Sequence, residues 1–102
     1  MSQPDLSELL AKAKQMQARL AEVQRDLAQR RIEGAAGGGM VTVVVTGDLR
    51  VLEIRIEPSL VAAGDREMIQ DLTAAAVNAA LANAQRVVQE ELQREQGALR
   101  LG

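Results

Sequence analysis

A strict heptad stripe near the N-terminus constrains this chain more than any other feature. The stripe predicts an amphipathic helix over about residues 4–30, with Pro4 in its first turn and Asp5 as its N-cap. At ~1.5 Å per residue such a helix is about 40 Å long, which is too long for a core built from the rest of a 102-residue chain. The residues of the stripe recur at alternating steps of three and four: Leu6, Leu9, Ala13, Met16, Leu20, Val23 and Leu27.

This stripe either packs on its own domain or forms a coiled-coil-like seam with a second subunit. The length of the helix favours a seam for at least part of it. The chain also has no aromatic residue, so a small core of Leu, Ile, Val and Met would leave much helix surface exposed unless two chains pair. We therefore expect a homodimer with these contact residues: Leu9, Met16, Leu20, Val23, Leu27, Leu72, Ala76, Ala79, Ala80 and Asn83.

The middle of the chain changes to a β pattern. Segments 40–45 and 49–56 are dense in Val and Ile and predict two strands. A shorter strand over 31–34, followed by a glycine-rich turn at 34–39, would complete a three-stranded antiparallel sheet. Pro58 is expected to end the sheet because proline has no amide donor.

A second long helix is predicted over residues 65–96. Asp65 suits its N-cap, and Gly97 is expected to end it and leave a short tail. Seven alanines between positions 74 and 84 make this helix thin, so that it can approach the sheet or a dimer mate closely. The predicted fold is α+β, a single domain with four parts: a helical arm (1–31), a β-meander and hinge (32–60), the alanine-rich helix (65–96) and the tail (97–102).

Composition removes several kinds of chemistry. The chain contains no Cys and no His, which excludes disulfides, Cys/His zinc sites, thiol nucleophiles and imidazole bases. The acidic residues do not form a recognisable catalytic pair, and we expect no enzyme activity, metal, cofactor or small-molecule substrate. No apolar run approaches the ~20 residues of a membrane span, and we expect a cytoplasmic protein that does not contact membranes.

Charge is spread unevenly along the chain. The net charge is −2, yet residues 9–31 carry six basic side chains against two acidic ones, and residues 32–102 carry six against ten. Such asymmetry points to an arm that faces nucleic acid or a protein partner. The basic residues of the first helix either contact phosphates or form ordinary ion pairs in the favourable i,i+4 order, Glu8 with Lys12 and Asp26 with Arg30.

A set of short motifs at characteristic spacings carries a family resemblance. In chain order they are Lys12–Gln17 (KAKQMQ), the glycine turn before Met40–Val43 (MVTV), Thr46-Gly47, Ile54 with Ile56, Glu57–Leu60 (EPSL), Glu67–Leu72 (EMIQDL) and Ala74–Ala80 (AAAVNAA). Together they resemble the YbaB/EbfC family of small bacterial nucleoid-associated proteins. At the C-terminus the resemblance weakens, since many members carry a longer tail rich in glycine, proline and methionine.

The resemblance implies a two-fold homodimer with projecting helical arms. It also implies association with the nucleoid and binding of double-stranded DNA with little sequence preference, with bridging or compaction. The candidate phosphate contacts are Lys12, Lys14, Arg19, Arg25, Arg30, Arg31, Arg86 and Arg94. The chain has neither aromatic residues for stacking on single strands nor a groove-reading motif, so binding through the DNA backbone is expected. The alternative is a dimeric adaptor whose heptad helices bind proteins and not DNA.

Overall fold

Two long helices flank a small antiparallel sheet in the computed structural model, which describes residues 5–101. This arrangement confirms the predicted α+β class, a long helix followed by a three-stranded sheet and a second long helix. The elements in order are α1 (Leu6–Gln29), β1 (Arg31–Ala36), β2 (Val41–Thr46), β3 (Val51–Ile56), α2 (Pro58–Ala63) and α3 (Arg66–Leu101).

Both long helices begin at their predicted N-caps. A carboxylate oxygen of Asp5 accepts a hydrogen bond from the Glu8 amide at 3.1 Å, and Asp65 accepts one from the Met68 amide at 3.0 Å. Each bond satisfies an amide that has no partner inside its helix. Pro4, expected in the first turn of α1, lies outside the described residues.

The C-terminal half departs from prediction in two places. The expected end of the second helix at Gly97 is wrong, because α3 continues through this residue to Leu101. Glycine inside a helix costs only about 1 kcal/mol relative to alanine, too little to end a helix by itself. The short helix α2 was not predicted, although proline at its first position and Gly64 in the left-handed conformation after its end are typical helix boundaries.

The sheet is a meander with β2 in the centre. Its strands pair antiparallel, β1 with β2 from Arg31↔Thr46 to Ala36↔Val41, and β2 with β3 from Val41↔Ile56 to a bulge beyond Val44. The β1–β2 turn holds three glycines with positive φ, 65°, 67° and 92° at positions 37–39. Because these residues suffice for the turn, β1 extends two residues further than predicted.

The core lies between α3 and the inner face of β1 and β2. Gly34 of β1 lies so close to this helix that a Cβ atom there would overlap the backbone nitrogen and Cα of Ala80. The thin alanine face therefore serves contact with the chain's own sheet. The buried cluster consists of Ile32, Val41, Val43, Val45, Leu60, Ala76, Ala80 and Ala84.

The molecule is long and narrow. Its principal extents are 74 × 18 × 15 Å, and its radius of gyration of 20.5 Å exceeds the ~13 Å of a compact chain of about 100 residues. The N-terminal part of α1 has little contact with the rest of the described chain, and only Val23 and Leu27 of this helix are buried. Most of α1 is consequently an exposed arm.

Candidate nucleic-acid interface

Four candidate phosphate contacts, three on α1 and one at its C-cap, have no acidic partner in the described part of the chain. Lys12, Lys14, Arg25 and Arg30 are exposed and enter none of the ion pairs formed among residues 5–97. The predicted pairs with Glu8 and Asp26 are thus absent from these residues. The three helical members, Lys12, Lys14 and Arg25, expose their positive charge along about 20 Å of helix axis.

The other four candidates are already paired with carboxylates. The shortest nitrogen–oxygen distances are 2.9 Å for Arg19–Glu95, 2.9 Å for Arg31–Glu53, 3.9 Å for Arg86–Glu90 and 2.9 Å for Arg94–Glu91. In each of these guanidinium groups a carboxylate already competes with phosphate for the N–H donors. Within the described residues, the predicted set therefore divides into four free and four paired cations.

The pair between Arg19 and Glu95 joins the two long helices. The guanidinium donates two hydrogen bonds, from Nε at 3.0 Å and from Nη2 at 2.9 Å, to the two carboxylate oxygens. These bonds hold the pKa of Glu95 below its ordinary value. The side chain of Glu95 is only 11% exposed, so this carboxylate is largely shielded from solvent.

A cleft of about 270 Å³ separates α1 from α3 beside this pair. Its charged lining contains two arginines and two acids, so it is not a concentrated anion site. The lining residues are Val23, Asp26, Leu27, Arg30, Glu91 and Arg94.

The outer face of the sheet carries a second ion-pair network. Arg55 contacts Glu53 at 2.8 Å and Glu33 at 3.7 Å, and Arg31 contacts Glu53 at 2.9 Å. Val44 between these strands is almost fully buried. This neutral network covers the outer face, and it engages Arg31, one of the predicted phosphate contacts.

The predicted dimer contacts on α1 fall into two groups. Val23 and Leu27 are buried within the single chain, whereas Leu9, Met16 and Leu20 remain 49%, 43% and 39% exposed. The interpretation in which the stripe packs on its own domain therefore holds for the C-terminal half of α1 alone. Its last turns pack on the chain itself, and its N-terminal turns present apolar surface to solvent.

The predicted dimer contacts on α3 face mostly inward. Ala76 and Ala80 are fully buried against the sheet, so they have no surface left for a second chain. Leu72 and Ala79 are partly buried. Asn83 donates a hydrogen bond at 2.9 Å to the carbonyl of Glu33, which gives its side-chain nitrogen a partner within the chain.

An apolar surface on β3 was not among the predicted contacts. Leu49, Val51, Leu52 and Ile54 are each 45–47% exposed, because α3 covers β1 and β2 and leaves β3 at the open edge. We call these four residues the β3 patch. The sequence shows that these residues are apolar. The placement of α3 over β1 and β2 determines that β3 is the strand left exposed.

Fold and site together define a small α+β protein with a cationic helical arm. The model of the YbaB/EbfC DNA-binding family matches residues 1–99, and the chain belongs to this family. Within residues 5–101, no helix is long and apolar enough to cross a membrane. In the same part of the chain, no cluster of three or more acidic side chains is placed to hold a metal ion.

Bacterial relatives are similar over most of the chain. Nucleoid-associated protein DP1429 of Desulfotalea psychrophila is 42% identical over 97 residues, covering 95% of this chain and 92% of that protein. A nucleoid-associated protein of Chlorobium phaeovibrioides is 40% identical over 99 residues, covering 97% and 89%. One of Mycobacterium tuberculosis is 43% identical over 96 residues, covering 94% and 72%. These names support the predicted class, a nucleoid-associated DNA-binding protein.

A solved structure has the same fold. The crystal structure of the uncharacterized protein HP0035 from Helicobacter pylori aligns with a TM-score of 0.69 and covers 98% of this chain and 100% of that one. The two sequences are 23% identical, so this likeness establishes the fold alone.

Proposed function

We propose that this protein binds double-stranded DNA with little sequence preference, through phosphate contacts made by the α1 arm. The observation that carries the proposal is a set of four cations without acidic partners among the described residues, three on α1 and one at its C-cap: Lys12, Lys14, Arg25 and Arg30. A free cation reaches a phosphate without first breaking an ion pair. Membership of a DNA-binding family supports the choice of partner.

We further propose that the functional form is a homodimer. The accessible surface of 7573 Å² exceeds the ~5,600 Å² expected of a compact monomer of this mass. The excess is larger than the ~800 Å² that each partner contributes to a standard interface. The exposed half of the α1 stripe and the β3 patch supply the apolar surface that a second copy would cover.

Pairing of two chains would also strengthen an otherwise weak DNA contact. A protomer with net charge −2 and only a few free cations along its arm gains little from phosphate neutralisation alone. Two arms on one duplex double the number of contacts, and two arms on different duplexes bridge them. Bridging of the nucleoid's DNA is accordingly part of the proposal.

The test is the binding of two unrelated labelled duplexes, followed by fluorescence anisotropy across a series of salt concentrations. We expect saturable binding that is similar for both duplexes and weakens with salt. Replacing Lys12, Lys14 and Arg25 with glutamine should weaken binding to both. The plot of log affinity against log salt should flatten by about 0.9 for each phosphate that the variant no longer neutralises.

The matched control removes three positive charges away from the arm, at Arg50, Arg55 and Arg66. Because these residues lie in the sheet region and at the start of α3, their replacement should leave the salt slope nearly unchanged. Equal flattening by both triple variants would show that α1 is not the contact surface. Absence of binding at low salt by the natural protein would contradict the proposed function and favour the adaptor hypothesis.

A further inference from the structure

The Arg19–Glu95 pair differs from the other paired candidates in the solvent exposure of its carboxylate. The side chains of Glu90, Glu53 and Glu91, which pair with the other three candidates, are 59%, 40% and 22% exposed, so water reaches their carboxylates more readily when the arginine leaves. The side chain of Glu95 is only 11% exposed. A carboxylate with so little access to water is costly to leave without its partner.

Arg19 is the accessible member of this pair. Its side chain is 61% exposed, so a DNA phosphate can approach it without unfolding of the arm. The two oxygens of Glu95 occupy the guanidinium fork at 3.0 and 2.9 Å, the bidentate arrangement that phosphate oxygens also adopt with arginine. Carboxylate and phosphate therefore compete for the same donors.

We propose that Glu95 is a built-in competitor of DNA for Arg19 and that the pair restrains DNA binding by the α1 arm. This inference rests on the proposed function. In the paired state Arg19 ties α1 to α3, and the arm binds DNA through its free cations alone. Release of Arg19 from Glu95 would leave it beside the exposed carboxylate of Glu22, 3.5 Å away, and would add one phosphate contact in each protomer.

The experiment measures duplex affinity and salt slope for four proteins: the natural chain, Glu95→Gln, Arg19→Gln and the double variant. We expect Glu95→Gln to bind about two- to fivefold tighter, the range that corresponds to one partly exposed ion pair. Its salt slope should steepen by about 0.9 for each additional phosphate that is neutralised. In the Arg19→Gln background the same change at position 95 should give a smaller gain and no steeper slope.

The double variant separates competition from the general loss of one negative charge, because that loss is the same in both backgrounds. An equal gain with and without Arg19 would overturn the inference. Unchanged or weaker binding by Glu95→Gln would also overturn the inference. In either case, DNA binding by the natural chain would leave the proposed function intact. Absence of binding by all four proteins would overturn both. Glu95→Ala, with far-UV circular dichroism as a folding check, provides a second variant on which the same outcomes apply.

Discussion

Gly34 is the residue at which the backbone geometry leaves the least room for a side chain. Its position on β1 brings that strand against the backbone of α3 at Ala80, and neither backbone can move without disturbing the core. The small residues at Ala76, Ala80 and Ala84 serve the same close approach from the helix side. The close approach of β1 to α3 therefore requires residues with small side chains or none.

We expect Gly34→Ala to lower the free energy of unfolding by about 3 kcal/mol, the upper part of the range for overpacking, because the added methyl meets backbone and not a flexible side chain. Urea denaturation followed by circular dichroism measures the change. Gly97→Ala is the matched control: a Cβ there meets open space, and alanine is the better helix former by up to about 1 kcal/mol. Similar destabilisation by both substitutions would contradict the close packing of β1 on α3.

Among the elements, α1 has two halves with different surroundings. Its last turns are fixed by burial of Val23 and Leu27 and by a hydrogen bond of 2.8 Å from the Gly47 amide to the carbonyl of Leu27. Arg19 marks the transition, since it contacts Glu95 of α3. Beyond it, towards the N-terminus, the helix carries Lys12, Lys14 and most of the exposed apolar stripe.

The contact between α1 and α3 should make stability depend on acidity. The pKa of Glu95 is lowered by hydrogen bonds from Arg19, so the folded chain binds fewer protons here than the unfolded chain in mildly acidic solution. The pair contributes stability above the ordinary glutamate pKa of about 4.3, and loses it as the pH falls through the lowered value. The natural chain should thus be more stable than Glu95→Gln near neutral pH, and the difference should vanish in acid.

Urea denaturation at several pH values measures this difference. The control repeats the comparison in the Arg19→Gln background, where the pair is already broken and the effect of Glu95→Gln should vary much less with pH. A difference that persists unchanged into strongly acidic solution would show that the carboxylate charge of Glu95 does not stabilise the contact between the helices.

On the scale of the whole molecule, the narrow shape and the exposed apolar residues belong together. A chain that extends over 74 Å has too little interior to bury the α1 stripe and the β3 patch at the same time. A second copy would cover such surfaces while leaving the cations of the two arms available to DNA.

We expect the double substitution Leu52→Asp and Ile54→Asp to shift the proposed dimer towards monomer, since each carboxylate would be buried without a partner in the interface. Light scattering coupled to size-exclusion chromatography measures the mass directly. Val61→Asp is the control, because this exposed valine lies on α2, away from the β3 patch. An unchanged mass with retained circular dichroism would exclude the β3 patch from the interface.

The order of the elements follows from the sequence because its signals are local. Heptad spacing, β-branched runs, three adjacent glycines and the caps Asp5 and Asp65 each act within a few residues of the chain. These signals therefore predict the α+β class and the start of each long helix. The motifs at their spacings likewise indicated the family, and the resemblance to that family indicated the DNA-binding class.

Only the tertiary structure decided which surfaces and charges remain free. The contact of Arg19 with Glu95 joins residues 76 positions apart, and no local pattern records it. Likewise, Ala76 and Ala80 are buried and the β3 patch is exposed because α3 lies over two strands of three. A sequence determines what each segment tends to form, whereas the competition between segments for one small core determines what is left to bind a partner.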